Sequence, residues 1–187
     1  MISYNGARGN RKFLAVPVVL LVLFINPFVE NLQSVNPVIF MLDHYAMFFA
    51  GSIIGYKMFK GSILALTLGS FVAVFWHIPL TFALAASDLP IRLICEVTLF
   101  LGGILAGSYI PRMSLAVKVT SLALYMLGDT FLSILFIIGS PEYSNVDFPY
   151  LKWGPSSLPL VGVTMFVVMN LVLVYVIVRV MRNISIL

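Results

Sequence analysis

Six apolar stretches, each close to the roughly twenty residues a helix needs to cross the hydrocarbon layer of a bilayer, leave this chain few ways to fold. They fall at 13–29, 38–57, 62–86, 90–110, 114–139 and 158–180, separated by polar or Pro/Gly-containing segments. The composition agrees. Of 187 residues, 61% are hydrophobic and 10% charged, whereas soluble domains carry about 25% charged residues. So few charges cannot cover a globule of this size, and the apolar excess must face lipid. The expected fold is all-α: a polytopic transmembrane helix bundle of about six spans, a single domain over 1–187 in contact with membrane lipid.

The charges orient the bundle. The net charge of +4 comes from cations spread along the chain, with no basic stripe of the kind nucleic acid requires, so no nucleic-acid partner is expected. With alternating spans one side carries Arg8, Arg11, Lys12, Lys57, Lys60, Arg112, Lys118, Arg179 and Arg182 and no acidic residue. The other carries Glu30, Asp88, Arg92, Glu142, Asp147 and Lys152. Positive loops remain in the cytoplasm, so both termini are expected there, in a multi-pass protein of the plasma membrane. Arg8, Arg11 and Lys12 before an apolar run also resemble a signal peptide, but no small-x-small cleavage site follows Phe28, which favours a retained first helix. The Asn183-Ile184-Ser185 sequon falls on the cytoplasmic side and carries no meaning there.

Gly51/Gly55 and Gly103/Gly107 have the four-residue spacing that lets helices approach closely in lipid. A single cysteine, Cys95, excludes an internal disulfide and multi-Cys metal sites. No P-loop, catalytic triad or HExxH motif occurs, and no enzymatic activity is expected.

Ionisable residues inside a membrane are costly and usually mark function. Five fall within the spans: Asp43, His44, His77, Glu96 and Asp129. Counting a rise of about 1.5 Å per residue puts all five in the outer half of the bilayer, as one polar site open to the exterior. Met41, His44 and Met47 recur at i, i+3, i+6 and share a helix face, and Met126 precedes Asp129 by three residues. Imidazole and thioether together suit copper. Pro79 should kink the third span beside His77 and free the Phe75 carbonyl, and Trp76 could anchor at the outer interface. Each feature also has a plainer reading. Membrane histidines join helices by hydrogen bonds, methionines fill cores, and Cys95, turned about 100° from Glu96 on its helix, reads as a buried apolar residue.

Met41-Leu42-Asp43-His44-Tyr45-Ala46-Met47 resembles the His-rich second-helix segment of the CtaG-type cytochrome c oxidase assembly factors. Trp76-His77-Ile78-Pro79 with Ala83, Glu96, Phe100 and Gly103 is similar to that family's Trp-His-x-Pro segment and following helix. Tyr125-Met126, Gly128 and the Ser140-Pro141…Tyr143…Pro149-Tyr150 loop also fit, so the likeness covers roughly 38–180. Phe40 and Val97 stand where the family carries further histidines, as in a divergent, archaeal branch. The resemblance implies a metallochaperone or assembly factor for a respiratory haem–copper oxidase, whose subunits would be its partners. His44 and His77 would bind copper, with Met41, Met47 and Met126 as soft auxiliary ligands. Asp43, Glu96 and Asp129 would orient the imidazoles. The alternatives are a haem-b protein with the two imidazoles as axial ligands, a structural subunit of a respiratory complex, and a small transporter.

Overall fold

The computed structural model describes residues 2–4 and 11–184. Arg8 and Ser185 lie outside the described residues, as do the side chains of Arg11, Arg182 and Asn183. Among the described residues the protein is all-α apart from one pair of two-residue strands, β1 (Ser3–Tyr4) and β2 (Phe59–Lys60). The helices are α1 (Ala15–Phe24), α2 (Pro27–Gln33), α3 (Pro37–Met58), α4 (Ile63–Trp76), α5 (Pro79–Ser87), α6 (Leu89–Tyr109), α7 (Leu115–Ile137) and α8 (Leu158–Ile184).

Among the described residues four helical stretches are long and apolar enough to cross a membrane: Pro37–Met58, Leu89–Arg112, Leu115–Ile137 and Pro155–Arg179. Two bent pairs bring the number to six if each is one crossing. Lys12–Phe24 with Pro27–Gln33 bends by 65°, and Ile63–Trp76 with Pro79–Ser87 by 71°. The chain is therefore a membrane protein of transmembrane helices; its first apolar run is broken where the sequence predicts an uninterrupted span, and its third where it predicts a kink.

Asn-Pro makes the first break. Asn26 caps α2 by accepting from the Phe28 and Val29 amides, and its own amide donates back to the Leu23 carbonyl. One side chain thus serves the facing ends of α1 and α2. Asn36-Pro37 repeats the device at the start of α3. This corrects one expectation: Glu30, assigned to a loop, lies inside helix α2.

The third run breaks rather than kinks. α4 stops at Trp76, and Pro79 begins α5, where its missing N–H costs nothing. The carbonyls left over are taken by side chains, as membrane depth demands. The His77 ring takes Ala73, the Thr81 hydroxyl takes Phe75, and the Tyr143 hydroxyl takes His77 itself at 2.9 Å. Trp76 is not at an interface: it is buried, and its indole N–H donates to Thr98 on α6 at 2.7 Å.

The two glycine pairs seat α3 on α6. A Cβ on Gly51 would lie 2.0 Å from the Phe100 carbonyl oxygen, and one on Gly103 would lie 2.2 Å from that of Phe48. Gly55 and Gly107 make the same approach to Ile104 and Ser52. No side chain fits between these backbones, so the expected close packing is present. At one end of the bundle β1 pairs with β2, and Gly61 donates to Ser108. At the other end α2 meets α3, and the 138–157 loop folds over, with Lys152 reaching Ser34. Gly139, at φ 67°, ends α7 and turns the chain into that loop: the Ser140 amide bonds Leu135 O and its own amide bonds Phe136 O.

Candidate functional site

α3 presents Phe40, Met41, Asp43, His44 and Met47 to the interior, all buried. A transmembrane helix buried on two sides can point neighbouring residues at different partners. His44 faces α4 and α6, while Asp43 faces α2 and α6.

The imidazoles come together as expected. The rings of His44 and His77 lie 5.5 Å apart between centroids, edge to face. Each uses Nδ1 in the same way, with a main-chain carbonyl four residues back: Phe40 O at 2.8 Å for His44 and Ala73 O at 2.6 Å for His77. A carbonyl only accepts, so Nδ1 carries the proton and Nε2 presents its lone pair. In His44 that lone pair meets the thiol of Cys95 at 3.4 Å. Cys95 is fully buried and forms no disulfide. Its position was missed because helix angle to Glu96 says nothing of what faces it across the α3–α6 seam. Phe40, in place of the family's histidine, packs edge-on to His44 at 4.4 Å, and Val97 faces outward, 57% exposed.

The carboxylates do something other than orient these rings, because the carbonyls already hold both Nδ1 protons. Asp129 on α7 accepts from the Tyr45 hydroxyl. Asp43 and Glu96 turn toward a second group: Glu30 and Gln33 on α2, and Arg92 on α6. Of the expected soft ligands, Met41 and Met47 are fully buried within the apolar core, and Met126 is half-buried on α7. Among the described residues no three His, Cys, Asp or Glu side chains converge as metal ligands.

Arg92 is 2% exposed and the nearest cation to these acids, yet its N–H groups go to the main-chain carbonyls of Ala85, Ala86 and Glu30. Its approach to the Glu30 carboxylate is only 3.5 Å. Glu96 lies beside Glu30 and Gln33 without closing a bond of good geometry. The Arg92–Glu30 ion pair apart, seven buried atoms here have no hydrogen-bond partner among the described residues: both carboxylate oxygens of Glu30 and of Asp43, both amide atoms of Gln33, and Glu96 Oε1. The Asn-Pro pair before Glu30 was the available signal, since it marks a helix start that carries Glu30 and Gln33 inward at i, i+3.

A polytopic helical membrane protein with a buried imidazole–thiol contact and a buried acid cluster is the class these features define. Within that class the chain belongs to a family described as "Protein of unknown function (DUF1404)", whose profile matches residues 15–183. No curated protein and no solved structure matches it.

Proposed function

We propose that this protein handles copper(I) as cargo, at the outer half of the membrane, as an assembly factor or metallochaperone-like partner of a respiratory haem–copper oxidase. The reading takes the chain as six crossings with both termini in the cytoplasm, because the positively charged segments then stay inside. The observation that carries it is the His44 Nε2–Cys95 Sγ contact, with both imidazoles anchored through Nδ1. Anchoring the far nitrogen on a carbonyl is the usual preparation of a metal-binding imidazole. Nitrogen and thiolate donors suit a soft ion such as copper(I), and the two donors that meet here, His44 and Cys95, match its low coordination. On binding, the Cys95 thiol would lose its proton to the exterior as the sulfur takes the ion. His77, one edge-to-face contact away, would accept or release the cargo. The resemblance to CtaG-type assembly factors supplies the oxidase as the receiver. The haem reading is weaker, because axial imidazoles lie on opposite sides of one iron, whereas these rings touch edge to face.

The test is titration of detergent-purified protein with copper(I) against a colorimetric copper(I) chelator. Wild type should hold about one ion per chain. His44→Phe and Cys95→Ser should each weaken retention at least tenfold while remaining folded, and oxidase activity in host membranes should fall with them. Equal copper retention by all three proteins would reject the reading.

A further inference from the structure

We infer that two copies of this chain associate in the membrane through the outward face of α8, as a parallel helix pair that closes around Asn170. Apolar residues facing lipid need no explanation, but a carboxamide does. Asn170 is exposed on the surface of the bundle, nine residues before Arg179 ends the crossing stretch Pro155–Arg179. At the helical rise that is about 13 Å into the apolar stretch, where water does not hydrate an amide. Its Nδ2 donates once, to the Phe166 carbonyl of its own helix at 2.7 Å. The second N–H and Oδ1 have no partner among the described residues.

The residues around Asn170 name the partner. Val163, Val167, Asn170, Val174, Ile177 and Met181 follow at steps of four, three, four, three and four, the spacing of helices that pair along a left-handed seam. All six are exposed, and a shallow groove runs along them from Val163 to Val174. Packing within the chain uses another face of α8: Val161, Met165 and Met169 are buried, and Gly162 sits against the Ser133 carbonyl of α7. In parallel pairs β-branched residues at seam positions favour two strands, and one Asn among them fixes the register. Interhelical amide hydrogen bonds also join helices in lipid. An amide carries both donor and acceptor, so it complements its own copy. Two copies in one membrane share one orientation, and a two-fold axis along the membrane normal therefore sets Asn170 opposite Asn170. Any other partner would need a polar group at that same depth, whereas the second copy brings one by symmetry. The inference is independent of the copper reading.

The experiment is Förster transfer between two fluorescent-protein fusions of the full-length chain, co-reconstituted in phospholipid vesicles and diluted with lipid. Wild type should give transfer that saturates with protein density, well above random collision. Asn170→Val keeps the apolar stripe and should need at least tenfold higher density for half-maximal transfer, while Asn170→Gln should restore most of the association. In native membranes under mild oxidation, Val167→Cys and Val174→Cys should each cross-link to a product of twice the chain's mass; Cys95 is buried and stays out of the reaction. Tyr175→Cys, 69% exposed but about 100° round the helix from Val174, should not cross-link. Transfer at the random-collision level in wild type would overturn the inference, as would equal association by Asn170→Val or equal cross-linking through Tyr175→Cys. A cross-linked product of any other mass would also overturn it, since a different protein would then cover this face.

Discussion

Tyr143 shows how much a single hydroxyl can hold at the break beside His77. Its ring is buried against Phe82 and Phe136, its hydroxyl donates to the His77 carbonyl, and its own carbonyl accepts from the Trp153 indole. Tyr143→Phe should cost about 0.5–1.5 kcal/mol, read as a lower Tm in detergent with helix content unchanged. Burial, and then the neighbouring Glu142, push the phenol up to about 12 from its ordinary 10. Because the raised acid is stable in its protonated form, its contribution is whole below pH 10 and is lost as pH rises from about 10 to 12. The phenylalanine variant should lack that part of the alkaline decline; an identical decline in both proteins would show that Tyr143 is not its source. At this scale the pairing of His44 with His77 was legible, since depth along straight helices follows from counting. Cys95 was not, because which residue faces another across a seam depends on helix rotation, and one helix's sequence does not carry that. Nor was the role of Arg92, which serves main-chain carbonyls that exist only because α5 ends at Ser87.

Helix α3 packs on α6 through backbone, and two glycine substitutions separate that contact from ordinary helix chemistry. Gly51→Ala places a methyl 2.0 Å from the Phe100 carbonyl oxygen, and should cost on the order of 3 kcal/mol by overpacking. Gly128→Ala on α7 meets nothing within 4 Å and should stabilise by about 0.5–1 kcal/mol through helix propensity alone. Thermal unfolding of the two variants should therefore move in opposite directions, and a similar response would place α3–α6 farther apart than the structure has it. The glycine spacing made this seam readable beforehand. The breaks were readable only in part. Pro79 announced a disturbance, but its size depends on Thr81 and Tyr143 taking the freed carbonyls, and Tyr143 is far away in sequence. Asn26-Pro27 carries a helix-start signature that the apolar run around it obscured, and the acid cluster was overlooked with it.

Across the whole molecule the described residues hold four helical stretches able to cross a membrane, or six if each bent pair is one crossing, and the charge asymmetry of the sequence predicts their direction. A C-terminal reporter active only in the cytoplasm should be active, and the same reporter inserted in the Glu142–Asp147 loop should be silent. The reverse pattern would turn the polar site to face the cytoplasm. The imidazole–thiol contact and the acid cluster lie toward the end covered by the 138–157 loop, on neighbouring faces of α3. Sequence pattern located that end, while the ligand identities depend on how α2, α3 and α6 rotate against one another. X-ray absorption at the copper edge of copper(I)-loaded wild-type protein tests the proposed cargo most directly. The expected first shell is mixed, with imidazole nitrogen and one sulfur, and the sulfur should disappear in Cys95→Ser. A shell of nitrogen and oxygen alone, or a sulfur signal that persists in Cys95→Ser, would contradict the assignment of His44 and Cys95 as the copper ligands.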